Sequence, residues 1–121
     1  MSTFFASHPI SANRYWKVAR NMIYISAEAK AYKQEVAWAA KVAGVRLSDA
    51  PMAVGITYHP RITKKAIASR TRLDLDNVIK IISDALNGVA WQDDSQVIEI
   101  SAGIGAPITD GGVTITVGVL P

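Results

Sequence analysis

Asp74-Leu75-Asp76-Asn77-Val78-Ile79-Lys80-Ile81-Ile82-Ser83-Asp84-Ala85-Leu86-Asn87-Gly88 is the stretch on which the organisation of this 121-residue chain turns. Val78, Ile79, Ile82, Ala85 and Leu86 recur at helical steps, which predicts a helix over 75–87 with one apolar face, stopped by Asn87-Gly88. The same stretch opens with two carboxylates. Extended backbone leading into the helix would turn Asp74 and Asp76 to one side, because strand residues two apart share a face. Within the helix, Lys80 follows Asp76 by four residues and Asp84 follows Lys80 by four, so the three line one side of the polar face.

Neighbouring anions repel unless a cation lies between them, and hard divalent ions such as Mg2+ or Mn2+ prefer carboxylate oxygens. Beyond the helix, Asp93-Asp94 lies where the chain turns back toward the next strand and can deliver a third carboxylate. Each piece has a plainer role when taken alone. Asp76 can be a helix N-cap, Asp93-Asp94 a solvated turn, and Lys80 with Asp76 and Asp84 surface ion pairs worth about 0.3–0.5 kcal/mol each. Together, three acidic donors and a lysine are the equipment of a magnesium-dependent phosphodiesterase.

Upstream, Met52, Val54, Ile56 and Tyr58 alternate through 51–59 as a strand with one buried face does. A second helix is predicted over 26–43, capped by Ser26, with Glu28 at its positive end and Gly44 after its last turn. Its stripe, Ala29, Tyr32, Val36, Ala39, Ala40 and Ala43, is narrow and rich in alanine. Residues 3–6, 97–102 and 113–119 read as further strands, with Asp110-Gly111-Gly112 turning the chain before the last. Pro9 and Ser11-Ala12-Asn13 mark a turn ahead of Arg14-Tyr15-Trp16-Lys17, where the pattern decides nothing. The expected architecture is α+β (mixed α/β), a single sheet with two main helices packed on it, in one domain over 1–121.

Half of the residues are apolar, enough for a core, and cysteine is absent, so a metal must use oxygen or imidazole ligands. His8 and His59 have no partner at metal-binding spacing. No basic leader or membrane-length apolar run occurs, and a cytoplasmic setting is expected. The net charge is +3 with a pI of about 9.3, but its distribution says more. Arg61, Lys64, Lys65, Arg70 and Arg72 fall between Tyr58 and Leu73 without an acid, directly before the acidic group. A polyanion guided to a cation-holding site would meet such an order. Asn13, Arg14 and Lys17 are secondary candidates for phosphate contact, whereas Tyr15 and Trp16 suit a core or interface.

The run Asp74-Leu75-Asp76-Asn77-x-x-Lys80-x-x-x-Asp84-Ala85-Leu86, then Trp91-x-Asp93-Asp94-Ser95-Gln96-Val97, closely resembles the signature of RusA-type Holliday junction resolvases of phages and prophages. Ser11-Ala12-Asn13-Arg14-Tyr15-Trp16 and Ser26-Ala27-Glu28 with Ala31-Tyr32 are similar to two N-terminal patches of that family. The resemblance implies a RusA-like fold and a homodimer that cuts four-way junctions and related branched DNA, leaving 5′-phosphate and 3′-hydroxyl ends. It implies Asp74, Asp76 and Asp94 as metal-binding carboxylates holding Mg2+ (or Mn2+), Lys80 as the catalytic lysine, and Asp93 and Asp84 as supporting acids. One departure stands out: a basic residue often precedes the first aspartate in the family, and here Leu73 does, with Arg72 one place earlier.

Two strands of a junction must be cut and each chain offers one site, so paired incision calls for a two-fold dimer. Outer strands and the alanine face of the first helix are candidate interface material. No small organic cofactor is expected. The competing readings are a non-catalytic branched-DNA binder of the same fold and a structural protein whose carboxylates hold a stabilising ion.

Overall fold

A computed structural model describes residues 1–62 and 74–120, the side chains of Ala12 and Asn13 excepted. In chain order the elements are β1 (Ser2–Ala6), α1 (Ala12–Tyr15), β2 (Trp16–Ala19), β3 (Met22–Ile25), α2 (Ala27–Val42), β4 (Met52–His59), α3 (Leu75–Leu86), a 3-10 turn (Asp94–Gln96), β5 (Val97–Ile104) and β6 (Gly112–Val119).

Four strands form one sheet in the order β1-β6-β4-β5. β4 is a central strand because it can be one: Met52, Val54, Ile56 and Tyr58 are buried, and the alternation lets its other face remain only partly covered. It pairs antiparallel with β6 from Met52↔Val119 to His59↔Gly112. Its other neighbour, β5, runs parallel, with a register shift between Met52 and Ala53. Parallel neighbours need a long crossover, and α3 lies in that connection. The β4-α3-β5 arrangement thus fixes where α3 must run.

Val78, Ile81, Ile82, Ala85 and Leu86 of α3 are buried, with Ile79 at the margin. Ile81 joins the expected stripe, three residues after Val78. α2 packs on α3 and β1. Ser26 caps it, accepting from the Ala29 amide at 3.1 Å and donating to the Arg14 carbonyl at 2.6 Å. Ala29, Tyr32, Val36 and Ala40 are buried, which corrects one expectation: the alanine face of this helix is spent inside the fold and cannot serve as an interface. Small side chains on this face let the helix lie close to its neighbours.

The α+β expectation holds, with one addition. β2 and β3 pair as a separate two-stranded hairpin, so the single sheet has a small companion. Its turn places Arg20 (φ 51°) and Asn21 (φ 62°) in the left-handed region, as a two-residue type I′ turn requires. Among the described residues no helix is long and apolar enough to cross a membrane.

Ile82 is fully buried between α3 and its neighbours. Ile82→Ala is expected to lower the free energy of unfolding by about 2–5 kcal/mol in a denaturant titration.

Candidate functional site

Asp74 occupies the N-cap position of α3, with φ −65° and ψ 138°, and its carbonyl accepts the first helical bonds from Asn77 (3.1 Å) and Val78 (3.2 Å). Its side chain makes no capping hydrogen bond. Asp76 is already inside the first helical turn. The two carboxylates are therefore not related by strand alternation, as an extended approach would have it; both lie at the positive end of the helix, which stabilises negative charge. Asp76 is also not the cap, since that position falls two residues earlier.

Lys80 is exposed on α3. A helix turns about 100° per residue, which puts Asp76 and Lys80 nearly opposite the centre of the stripe formed by Val78, Ile81, Ile82 and Ala85. Surface ion pairing of Lys80 with Asp76 and Asp84 is not what the structure has: among the described residues, the ion pairs within 4.0 Å are Arg14–Glu28 and Lys33–Asp84. Asp84, on the flank of the helix, accepts from the buried Tyr15 hydroxyl and lies 3.5 Å from the Lys33 ammonium. It ties α3 to α1 and α2. Burial and the nearby Asp84 charge hold the Tyr15 hydroxyl well above the ordinary phenol range, so it remains a donor.

Asp93 and Asp94 have separate tasks. Asp93 caps the 3-10 turn in a reciprocal capping box with Gln96. Gln96 does more: its Oε1 accepts from the amides of Gln92 (2.8 Å) and Asp93 (3.0 Å), and its Nε2 donates to the carbonyls of Ser48 (2.8 Å) and Ala50 (2.9 Å). One side chain thereby clamps the turn to the segment entering β4. Asp94 is exposed, and its Oδ1 accepts at 3.1 Å from the indole Nε1–H of Trp91, itself fully buried. Its second oxygen accepts no hydrogen bond from a protein donor among the described residues.

Asp74 and Asp76 thus open α3, and Asp94 stands past its far end in sequence. Among the described residues, no three acidic or histidine side chains are gathered as a metal-holding group. The donor chemistry, carboxylate oxygen with no thiolate anywhere in the chain, suits a hard divalent ion. The histidines are otherwise engaged. His59 bonds the Ala106 carbonyl and the Thr114 hydroxyl, both at 2.9 Å. His8 bonds the Pro9 carbonyl (2.8 Å) and the Tyr58 hydroxyl (2.7 Å), and burial, reinforced by the Arg61 charge, lowers its pKa from the usual value.

Of the cationic candidates, Lys64, Lys65, Arg70 and Arg72 lie outside the described residues, as does Leu73. Arg61 is exposed and donates from Nε to the Asp110 carbonyl at 3.3 Å. Arg14 is paired with Glu28 at 2.5 Å, Lys17 is exposed in β2, and Asn13 lies in α1. Away from all of these, the uncovered sheet face forms a shallow concavity lined by Ala53, Gly55, Thr57, Ser101 and Thr116, with Glu99 as its acid. That lining has no catalytic grouping.

The family model described as Endodeoxyribonuclease RusA matches residues 7–118. Crossover junction endodeoxyribonuclease RusA of Escherichia coli (strain K12) is 36% identical over 113 residues, covering 89% of this chain and 88% of that protein. The proteins of the same name from Enterobacteria phage 82 and Shigella sonnei (strain Ss046) match with the same identity and coverage.

The Gln96 clamp has a measurable consequence. Gln96→Ala is expected to lower stability by about 1–3 kcal/mol and to speed amide exchange at Gln92 and Asp93 in particular. Unchanged exchange at both amides would show that the clamp does not hold the turn.

Proposed function

This chain belongs to the RusA endodeoxyribonuclease family, and we propose that it resolves four-way (Holliday) DNA junctions by paired, metal-dependent hydrolysis of phosphodiesters. The observation that carries this reading is the Asp74 carboxylate. It occupies the position where an aspartate ordinarily caps, yet its side chain makes no cap bond, which keeps it available to a ligand.

Asp74, Asp76 and Asp94, which are not gathered into one group in the described chain, would hold the ion, Mg2+ or alternatively Mn2+, once drawn together around it. Bound there, it would neutralise charge at the scissile phosphate and lower the pKa of a coordinated water. The chain's own residues do the rest. Trp91 holds one oxygen of Asp94 and so orients that carboxylate. Lys80, without an ion-pair partner among the described residues, presents its ammonium on the same outward face as Asp76 and offsets charge developing on the phosphate oxygens. Asp84 and Asp93 support from behind, one by fixing α3 to α2 and α1, the other by capping the turn that carries Asp94. Arg61 with Lys64, Lys65, Arg70 and Arg72 takes phosphates of the arms. No organic cofactor is needed, and the bacterial and phage relatives support work in the cytoplasm of a bacterial host.

Paired incision requires two copies related by a two-fold axis. With the alanine face of α2 consumed, the outer strand β5 is the surface that favours pairing: Ile100 and Ile104 are exposed on one side of this edge strand, and Ile98 is exposed at the register shift near its start.

On a synthetic four-way junction with magnesium, wild type is expected to make symmetric nicks in two opposed strands. Asp74→Asn and Lys80→Ala should bind the junction but cut at least 100-fold more slowly, the first through loss of a metal ligand and the second through loss of a transition-state donor. Absence of incision by wild type would contradict the reading. Ile100→Asp should sediment as a monomer and convert paired incision to single nicks; a stable dimer with unaltered cutting would exclude β5 as the interface.

A further inference from the structure

The β2–β3 hairpin is the part of the molecule that the acidic face leaves unexplained. A two-stranded ribbon is marginally stable in water unless something packs on it. Here Val18 and Ile23, paired across the strands, are 73% and 72% exposed, and Met22 at the turn is 68% exposed. Trp16 and Tyr24 are also exposed. At its root Trp16 stacks edge-on against Tyr15 and Ile25 meets the core; beyond that, from Lys17 to Tyr24, the ribbon is exposed.

The charge of the ribbon says what kind of partner fits. Lys17 and Arg20 are its charged residues, and the first acidic residue of the whole chain is Glu28, which is taken by Arg14. A second copy of the hairpin laid against this one would bring like charges together. A polyanion with apolar faces to offer would not.

Its mounting says where that partner lies. One foot of the ribbon is fixed where buried Tyr15 bonds Asp84 of α3, and the other where the Ser26 amide donates to the Tyr15 carbonyl at 2.9 Å. Asp84 follows Asp76 by two turns of the same helix, about 12 Å. DNA laid on the face of Asp76 and Lys80 therefore passes the root of the ribbon. Strands of four residues reach about 13 Å, comparable to the width of a major groove, about 12 Å.

We propose that the β2–β3 hairpin engages branched DNA, Lys17 and Arg20 holding phosphates while Val18 and Ile23, a cross-strand pair on one face, seat against bases unstacked at the branch point. Aliphatic side chains inserted at base steps are a known means of holding distorted DNA, and unstacking is least costly where pairing is already interrupted. The ribbon thereby favours branched over linear DNA. This rests on the reading of the chain as a junction endonuclease.

The test uses the full chain and two double variants, Val18→Ser with Ile23→Ser and Lys17→Gln with Arg20→Gln. Affinity for a four-way junction and for a duplex of equal length is measured without divalent cation, with 2-aminopurine at the branch point. Sedimentation and wild-type cutting in magnesium are measured in parallel. The serine pair is expected to sediment as wild type, to lose the 2-aminopurine fluorescence rise, and to reduce the junction-to-duplex preference at least 10-fold. The glutamine pair is expected to weaken binding to both DNAs and to reduce the slope of log affinity against log salt by about 2. A serine pair with a lower sedimentation coefficient would assign the ribbon to a second copy and overturn the proposal. An unchanged preference and fluorescence rise would overturn it as well. If wild type cuts junctions in either case, only the role of the ribbon fails; if wild type does not cut, the reading of the chain as a junction nuclease fails.

Discussion

The rotation of α3 about its own axis is the constraint on which the candidate site depends. Burying Val78, Ile81, Ile82, Ala85 and Leu86 sets that rotation, because any turn of the helix by more than a few tens of degrees would bring aliphatic surface into water. Once the stripe is fixed, the polar positions have no freedom left. Asp76 and Lys80 must face outward, Asp84 must fall on the flank, and Asp74 must stand at the amino-terminal end. The chemistry of the face is thus set by the hydrophobic effect acting on the opposite side of one helix.

Placement along the sheet has a different origin. β4 and β5 are parallel, and the crossover that parallel pairing demands contains α3 and ends in the 3-10 turn. That turn is short and exposed, and would wander without support. Gln96 prevents this by satisfying two amides on its own side and two carbonyls ahead of β4, and Trp91 reaches from the core to one oxygen of Asp94. The carboxylates called on for the metal are therefore not equally held: Asp94 is oriented by a buried indole, while among the described residues Asp74 and Asp76 are placed by the start of the helix alone.

Much of this was legible in the residues. Ser26 as a cap, the alternation in β4 and the turn before β6 were each written in local patterns that the fold obeys. The hairpin was not legible, because type I′ turns usually announce themselves with Asn-Gly or Asp-Gly and this one uses Arg20-Asn21. The partners of Asp84 were hidden for another reason: Tyr15 is 69 residues away, and spacing along one helix says nothing about what packs on its flank. The capping box is legible in the separation of Asp93 and Gln96, but nothing local shows that the same glutamine also reaches the carbonyls of Ser48 and Ala50. Family resemblance and the comparisons agree on what kind of enzyme this is. Neither could state which of its carboxylates are committed to structure.

The central claim is that acids from two separate stretches of chain share one divalent ion. Its most direct test is a crystal of the protein with Mn2+ in place of Mg2+, examined by anomalous scattering. A peak within about 2.0–2.3 Å of oxygens from Asp74, Asp76 and Asp94 is the result expected. A peak held by Asp74 and Asp76 with no contribution from Asp94, or no peak at all at millimolar manganese, would contradict it.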